Sequence, residues 1–249
     1  MDISLRGRVL IIGSLFWQDD FNPKVNDGMR KKWRNENLDM ESTINLKVPI
    51  RYGRYSKDKS YTMVFDNKLN NEQYGNAKAI FFNRKTFTHF SQIKVEIEKL
   101  SSIEGRFCSN FIKGSRNESI AWCVCTLLLN PNTVSPEVKE FLLEQWQSEL
   151  KKNEVGYKKF ISSPELYSLK KSGELDIPWP EELSDTDFLV ATSTKPLSRK
   201  GIKEVISEEI AKHVKNREYF HPNVRHGIRT FQDDEIMAIL RSKNAINEN

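Results

Sequence analysis

The stretch that most constrains the fold is residues 9–17, Val-Leu-Ile-Ile-Gly-Ser-Leu-Phe-Trp. Four aliphatic residues in a row, ended by glycine, are typical of a short buried strand. Gly13 allows the backbone to approach another group closely, and Ser14 adds a hydroxyl. Successive free backbone N–H groups in such a loop bind carboxylates and developing oxyanions. We therefore predict a buried strand over 8–13 that leads into a loop at the functional site.

The rest of the chain mixes strand-like and helix-like patterns. Apolar or alternating runs predict strands at 46–53, 60–66, 76–82, 119–129 and 187–194. Pro49 indicates an edge strand or a bulge, because proline donates no ladder hydrogen bond. Apolar residues at helical spacing predict helices at 90–102, 136–150, 201–217 and 233–242, with shorter ones around 27–36 and 162–171. The pattern predicts a mixed α and β fold.

The length of the chain limits how it divides into domains. It has 249 residues, of which 38% are apolar and 29% charged. This suits one large domain, or one domain with a substantial extension. We expect a domain over 1–150 and a mainly helical C-terminal extension over 151–249 packed on it. One continuous domain is the alternative.

The charge distribution bears on nucleic-acid binding. The net charge of +5 is spread along the chain, whereas a DNA-binding protein usually concentrates Lys and Arg on one stripe or helix. Lys31, Lys32 and Arg34 lie close together and have acidic neighbours. We interpret them as part of a solvated face. Nucleic-acid binding is therefore the third functional hypothesis.

The cysteines and the apolar runs bear on compartment and metal binding. Cys123 and Cys125 lie in the apolar run at 120–129, which favours buried, reduced thiols, and Cys108 is interpreted as structural. No further ligands follow at zinc-finger spacing, so we expect no metal site. The N-terminus resembles no signal peptide, and no stretch approaches the roughly twenty apolar residues that span a bilayer. We expect a cytoplasmic protein without membrane association.

A second candidate feature is Leu100-Ser-Ser-Ile-Glu-Gly at 100–105. Gly105 fits the position just after a helix C-terminus, which places Glu104 at the junction of helix and loop. Taken alone, such a glutamate is usually an ordinary surface residue. A strand that ends in Gly-Ser is likewise usually an ordinary turn. The two features are informative together.

Taken together, they resemble the γ-glutamylcyclotransferase-like superfamily, in which a Gly-Ser loop after the first strand is paired with an essential glutamate in a later Glu-Gly element. Residues 13–17 look most like the Gly-Ser-Leu-Ile-Trp loop of ChaC-type and related bacterial proteins. Residues 48–56, Val-Pro-Ile-Arg-Tyr-Gly-Arg-Tyr-Ser, resemble the Leu-Pro-Val-Glu-Phe-Ala-Arg-Ile-Ser of uncharacterised bacterial relatives. The resemblance covers residues 8 to about 130, and His-Gly-Ile-Arg-Thr at 226–230 with Asp233 looks like a further motif.

The resemblance implies a fold and a chemistry. The fold would be α+β, with a small mixed, mostly antiparallel, barrel-like sheet surrounded by helices. The reaction would be intramolecular acyl transfer in a lyase that releases 5-oxoproline from a γ-glutamyl amide, with no metal and no cofactor. Glu104 would be the general acid and base. The substrate would be held by Arg54, which matches the relatives' arginine, and by the loop residues Ile12, Gly13, Ser14, Leu15 and Phe16.

One departure from the familiar pattern and two alternatives remain. The better-known enzymes carry an aromatic residue before Gly-Ser where this chain has Ile12, which removes a hydroxyl from the pocket wall. The same scaffold is also compatible with a non-catalytic protein that binds a small molecule or a partner. The basic group of His221, Arg225, His226 and Arg229 beside Asp233 and Asp234 is interpreted as a structural network rather than a metal site.

Overall fold

A computed structural model describes the chain over residues 3–20, 28–56, 59–104, 112–113, 123–152, 162–200, 205–214 and 219–247. Its main sheet contains strands β1 (Gly7–Ile11), β2 (Ile44–Val48), β5 (Gly75–Phe81), β6 (Ile112–Lys113), β7 (Cys123–Leu129) and β8 (Phe188–Thr194). Strands β3 (Ile50–Tyr55) and β4 (Tyr61–Phe65) form a separate two-stranded antiparallel sheet. The mixed α and β class is confirmed.

The main sheet is open. Its strand order is β2-β5-β1-β8-β7-β6, so β2 and β6 lie at opposite edges. Neighbouring strands are antiparallel except β1 and β8, which run parallel. The mostly antiparallel character was predicted correctly, but the barrel-like closure was wrong. A closed barrel requires the two edge strands to pair with each other, and among the described residues β2 and β6 form no such pair.

Strand β1 lies inside this sheet, as its apolar sequence predicts. All five of its residues are buried, and it pairs with β5 on one side and β8 on the other. Strands paired on both edges and covered on both faces have continuous apolar sequences rather than alternating ones. The loop that follows Ile11 therefore starts from a rigid position.

Pro49 divides the segment that we predicted as one strand over 46–53. Strand β2 ends at Val48 in the main sheet, and β3 begins at Ile50 in the two-stranded sheet. Proline has no N–H to donate to a ladder, so pairing stops there and the chain changes sheets. The backbone N–H of Asp66, the residue after β4, donates to the Pro49 carbonyl, so a hydrogen bond links the end of the two-stranded sheet to the point where the chain changes sheets.

Six α-helices lie in the part of the chain that the structure describes. They are α1 (Met29–Asn37), α2 (Phe90–Glu104), α3 (Pro136–Lys151), α4 (Ser207–Lys212), α5 (Phe220–Arg225) and α6 (Asp233–Asn247). Helix α3 begins as predicted, with Pro136 in its first turn and the Ser135 hydroxyl accepting from the backbone N–H of Val138. The predicted helix at 162–171 is a single 3₁₀ turn, Pro164–Tyr167.

The second half of the chain contributes to the middle of the main sheet. Strand β8 comes from the segment that we expected to be a helical extension, and it lies between β1 and β7. Farther along, the backbone N–H of Asn76 in β5 donates to the carbonyl of Arg229, and Arg229 donates back to Asn76. The sheet is therefore built from residues on both sides of position 150, the arrangement that a continuous domain would have.

The core is one apolar cluster that the strands and the inner faces of the helices share. Cys123 and Cys125 are buried, as predicted. Gly105, Cys108 and the start of the strand predicted at 119–129 lie outside the described residues, as does part of the predicted helix at 201–217. None of the helices that are described has the length and apolar character needed to cross a bilayer.

Candidate functional site

The loop after β1 forms a single 3₁₀ turn. Gly13 is extended, and the turn over Ser14–Phe16 is closed by bonds from the N–H of Phe16 to the Gly13 carbonyl and from the N–H of Trp17 to the Ser14 carbonyl. Within the described residues, the N–H groups of Gly13, Ser14 and Leu15 donate no hydrogen bond. These three donors are the kind of group that the sequence suggested for binding an anion.

Arg30 joins this loop to Glu104. Its Nη1 donates to the Ser14 Oγ at 3.1 Å and to the Gln18 Oε1 at 2.7 Å. Its Nη2 lies 3.7 Å from the Glu104 Oε2. Both charged side chains are largely buried, with 10% of Arg30 and 15% of Glu104 exposed. The two features that the sequence paired therefore lie on opposite sides of one guanidinium.

Arg34, one helical turn after Arg30, holds the same loop from its carbonyl side. Its Nη1 donates to the carbonyls of Leu15 and Gln18, both at 2.8 Å, and its Nη2 pairs with Asp19. Burial lowers the pKa of Arg34, although the Asp19 carboxylate opposes that shift. Our interpretation of Arg34 as part of a solvated face was wrong, because residues four apart share the inner face of α1.

The outer face of α1 does carry solvated charges. Lys31 pairs with Asp19 and Lys32 with Glu36, and all four side chains are exposed. Ion pairs of this kind contribute little to stability. The basic cluster at 30–34 thus divides into two buried arginines that build the site and two exposed lysines that have acidic partners.

Glu104 is the last residue of α2, and the packing of that helix fixes its position. Ile93, Ile97 and Leu100 are fully buried on the inner face, and Ile103 is nearly so. Helix α2 also contacts α1, which carries Arg30. The carboxylate is held at a helix end whose inner face cannot rotate without exposing this apolar surface.

Tyr219 brings a second hydroxyl to the loop from the C-terminal part of the chain. A methyl group added at Gly13 would come within 2.3 Å of the Tyr219 Oη. The same oxygen accepts a hydrogen bond from the backbone N–H of Met63 at 3.3 Å. Burial raises the pKa of Tyr219 to about 12. Hydrogen bonding with Met63 and Asn223 opposes the rise, as does Arg30, while the Glu104 carboxylate adds to it. Tyr219 therefore belongs to the same electrostatic site as Glu104.

Asn223 connects helix α5 to the loop. It is fully buried, and its Oδ1 accepts from the Trp17 indole Nε1 at 2.7 Å. Tyr219 lies immediately before α5, so the helix that positions Asn223 also positions the Tyr219 ring. Residues 219–223 therefore pack against the loop and close one side of the site.

The other predicted substrate-binding residues lie at varying distances from this centre. Ile12 is half-buried and packs against the core, and Leu15 is buried in it. Phe16 is half-buried against the core, and its ring meets the His226 ring edge-to-face at 5.6 Å and the Lys78 Nζ at 5.4 Å. The described contact of Arg54 is with the Lys195 carbonyl, at 3.2 Å.

The motif at 226–230 forms part of a structural network. Gly227 adopts a left-handed conformation with φ of 72°, and this turn leads Arg229 to its pairing with Asn76 in β5. Thr230 then donates to the Asp233 Oδ1 from both its N–H and its hydroxyl, at the start of α6. Burial raises the pKa of Asp233, although these hydrogen bonds oppose that rise. Among the described residues, no three His, Cys, Asp or Glu side chains converge as a metal site.

Sequence reasoning missed Arg30, Tyr219 and Asn223. For Arg30 a signal was available, because Arg30, Trp33 and Arg34 are spaced i, i+3, i+4 and such spacing marks the inner face of a helix. For Tyr219 and Asn223 there was none, since their proximity to the loop depends on tertiary contacts about 200 residues apart in sequence.

The assembled site combines three kinds of group. Backbone N–H groups such as those of 13–15 and a guanidinium such as that of Arg30 can attract anions, a carboxylate such as Glu104 can exchange protons, and a hydroxyl such as that of Tyr219 can donate or accept hydrogen bonds. This set can bind a carboxylate or an acyl oxygen and move a proton beside it. No protein-family model, curated protein or solved structure matches this chain, so the function is argued from this geometry.

Proposed function

We propose that this protein is a γ-glutamylcyclotransferase-like enzyme that releases 5-oxoproline from a γ-glutamyl amide. The observation that carries the proposal is the Arg30 bridge, which places the Ser14 hydroxyl and the Glu104 carboxylate on one guanidinium. The sequence resemblance requires the Gly-Ser loop and this glutamate to act on one substrate. Their common contact with Arg30 supports that requirement.

In the proposed reaction, the substrate supplies its own nucleophile. The α-ammonium gives a proton to Glu104, and the resulting amine attacks the γ-carbonyl carbon of the same molecule. The new C–N bond closes the five-membered ring, and the negative charge on the carbonyl oxygen is stabilised by the N–H groups of the loop. The carbonyl then re-forms as the amide C–N bond breaks and Glu104 returns its proton to the leaving amine. The ring nitrogen, which still carries one extra proton after the attack, loses it to become the neutral lactam, and the released amine takes up that proton as its ammonium. Because nucleophile and electrophile are tethered, positioning supplies much of the rate.

The separation between Arg30 and Glu104 suits this role. At 3.7 Å the pair attracts electrostatically but is too long for a direct hydrogen bond. Both Glu104 oxygens can therefore still accept a proton. The Arg30 Nη1 meanwhile donates to the loop through Ser14 and Gln18.

The test is 5-oxoproline release from a panel of γ-glutamyl amines and dipeptides, measured by mass spectrometry. Glu104→Gln keeps the size of the side chain but cannot exchange the proton, so we expect kcat to fall by about 10²–10⁴-fold. Glu98→Gln is the matched control, because Glu98 lies in the same helix, pairs with Lys94 and is more exposed. If no panel member turns over, or if the Glu104→Gln variant is as active as wild type, the proposal fails.

A non-catalytic binding protein is the second candidate, and one observation favours it. Ser14 and Glu104 both have Arg30 as a partner, so the site is electrostatically balanced before any substrate arrives. Isothermal titration with 5-oxoproline separates the two candidates. Heat of binding without turnover of any panel member supports the binding protein, whereas turnover that depends on Glu104 supports the enzyme.

A further inference from the structure

We propose that Tyr219 is a further substrate-contacting residue of this site, and that its hydroxyl donates a hydrogen bond to the acyl oxygen held at the Gly13–Leu15 loop. The inference rests on the proposed function and adds a residue from the C-terminal part of the chain. Ile12 offers no hydroxyl, and the Tyr219 hydroxyl lies against Gly13 of the same loop.

The position of the hydroxyl is fixed from two sides. Its oxygen accepts from the Met63 backbone N–H in strand β4, and it lies where a side chain at Gly13 would otherwise be. Glycine at position 13 therefore leaves room for the phenol. Because φ at Gly13 is −172°, any residue could adopt this backbone conformation, so the close approach of Tyr219 is what favours glycine here.

The bond from Met63 also determines what the hydroxyl can offer a ligand. An oxygen that accepts from the Met63 N–H keeps its own hydrogen, which it can donate to a ligand. Gly13 lies beside it, and the N–H groups of Gly13, Ser14 and Leu15 are uncommitted within the described residues. A hydroxyl donor next to backbone donors is the arrangement that stabilises an oxyanion.

The ionisation of Tyr219 supports a donor role. With its pKa raised to about 12 by burial and by the Glu104 carboxylate, the phenol keeps its proton throughout the physiological range. Glu104 is thus the group in the site that exchanges protons, and Tyr219 is a fixed donor. The two residues would act on different atoms of the substrate, the acyl oxygen and the nitrogens.

Two tyrosine variants test the proposal. Tyr219→Phe removes the hydroxyl and keeps the ring. Tyr52→Phe is the matched control, because Tyr52 is fully buried nearby and its hydroxyl has no hydrogen-bond partner among the described residues. For Tyr219→Phe we expect kcat for 5-oxoproline release to fall about 10²-fold with KM within about threefold of wild type, and for Tyr52→Phe we expect both to stay within about twofold. Thermal unfolding of each variant verifies that it is folded at the assay temperature.

The outcomes separate this inference from the proposed function. If wild type turns over and Tyr219→Phe matches it, Tyr219 is not a substrate contact, and the role of Glu104 stands. If wild type turns over nothing, the enzyme proposal fails, and isothermal titration with 5-oxoproline decides the inference. Binding weakened about tenfold by Tyr219→Phe but not by Tyr52→Phe supports the contact, whereas equal binding by all three proteins, or none by wild type, overturns it.

Discussion

The contact between Gly13 and Tyr219 allows a quantitative test of the site's architecture. In Gly13→Ala the new methyl carbon would lie 2.3 Å from the Tyr219 Oη, well inside the ordinary contact distance. Overpacking a fixed site of this kind costs about 1–3 kcal/mol. The backbone adds little to this cost, because Gly13 is extended rather than left-handed. We expect the free energy of unfolding to fall by that amount.

Removing the hydroxyl should relieve most of the clash. Without it, the nearest atom of the residue 219 side chain to the new methyl is the ring Cζ, at 3.3 Å, a distance that a shift of a few tenths of an ångström makes ordinary. Tyr219→Phe alone should cost about 1 kcal/mol, because the Met63 N–H loses its acceptor. The Gly13→Ala change should then cost about 1–2 kcal/mol less in the Tyr219→Phe background than in wild type.

The assay is urea unfolding of wild type, both single variants and the double variant, followed by circular dichroism. Midpoints are compared at equal m-values, so that differences report stability rather than changes in the unfolded state. Gly13→Ala combined with Tyr52→Phe is the control, because no contact is described between the Tyr52 hydroxyl and Gly13, and we expect additive costs. Additive costs for Gly13→Ala and Tyr219→Phe as well, or a Gly13→Ala variant as stable as wild type, would refute the reasoning.

Two further predictions concern the support of the loop and of α6. Arg34→Ala should lower the free energy of unfolding by about 2–4 kcal/mol, because it leaves the carbonyls of Leu15 and Gln18 without a donor. The control is Lys32→Ala at an exposed position of the same helix, which should change the free energy of unfolding by no more than about 0.5 kcal/mol. Urea unfolding of the two variants measures both effects. Burial raises the pKa of Asp233, so above the ordinary value of 3.8 the folded state binds more protons than the unfolded state, and the contribution of Asp233 to stability should fall as the pH rises. Urea unfolding of wild type and Asp233→Asn at several pH values should show this fall in stability only in wild type. Parallel curves for the two proteins would contradict the prediction.

The local elements were largely predictable because their causes are local. Apolar runs located strands β1, β4, β5 and β8 to within one or two residues, and helical spacing located α2 and α3 equally well. Ser135 and Pro136 marked the start of α3 through chemistry confined to one turn. Pro49 correctly indicated an irregularity in the strand predicted over 46–53. The irregularity is a change of sheet at Pro49, and neither an edge strand nor a bulge was the full description.

What the sequence did not reveal was long-range pairing and the burial of charge. The parallel neighbours β1 and β8 are about 180 residues apart, and no local pattern encodes that register. An arginine is usually exposed, because it is buried only when acceptors satisfy its donors. The acceptors of Arg34 lie in a loop fifteen to twenty residues earlier, so the sequence around Arg34 does not reveal its burial. The roles assigned to Glu104 and the loop remain proposals, and Arg30 supplies their physical connection.

The position of β1 between β5 and β8 has a consequence for how the protein folds. During synthesis, β1 and β5 emerge early, but the edge of β1 that pairs with β8 stays uncovered until residue 188 and beyond have left the ribosome. Contacts of such high sequence separation slow folding and expose unpaired backbone to other chains. Tyr219 and Asn223 follow later still, so these contacts with the loop form only after residue 223 has been made. A chain truncated near residue 150 should therefore aggregate.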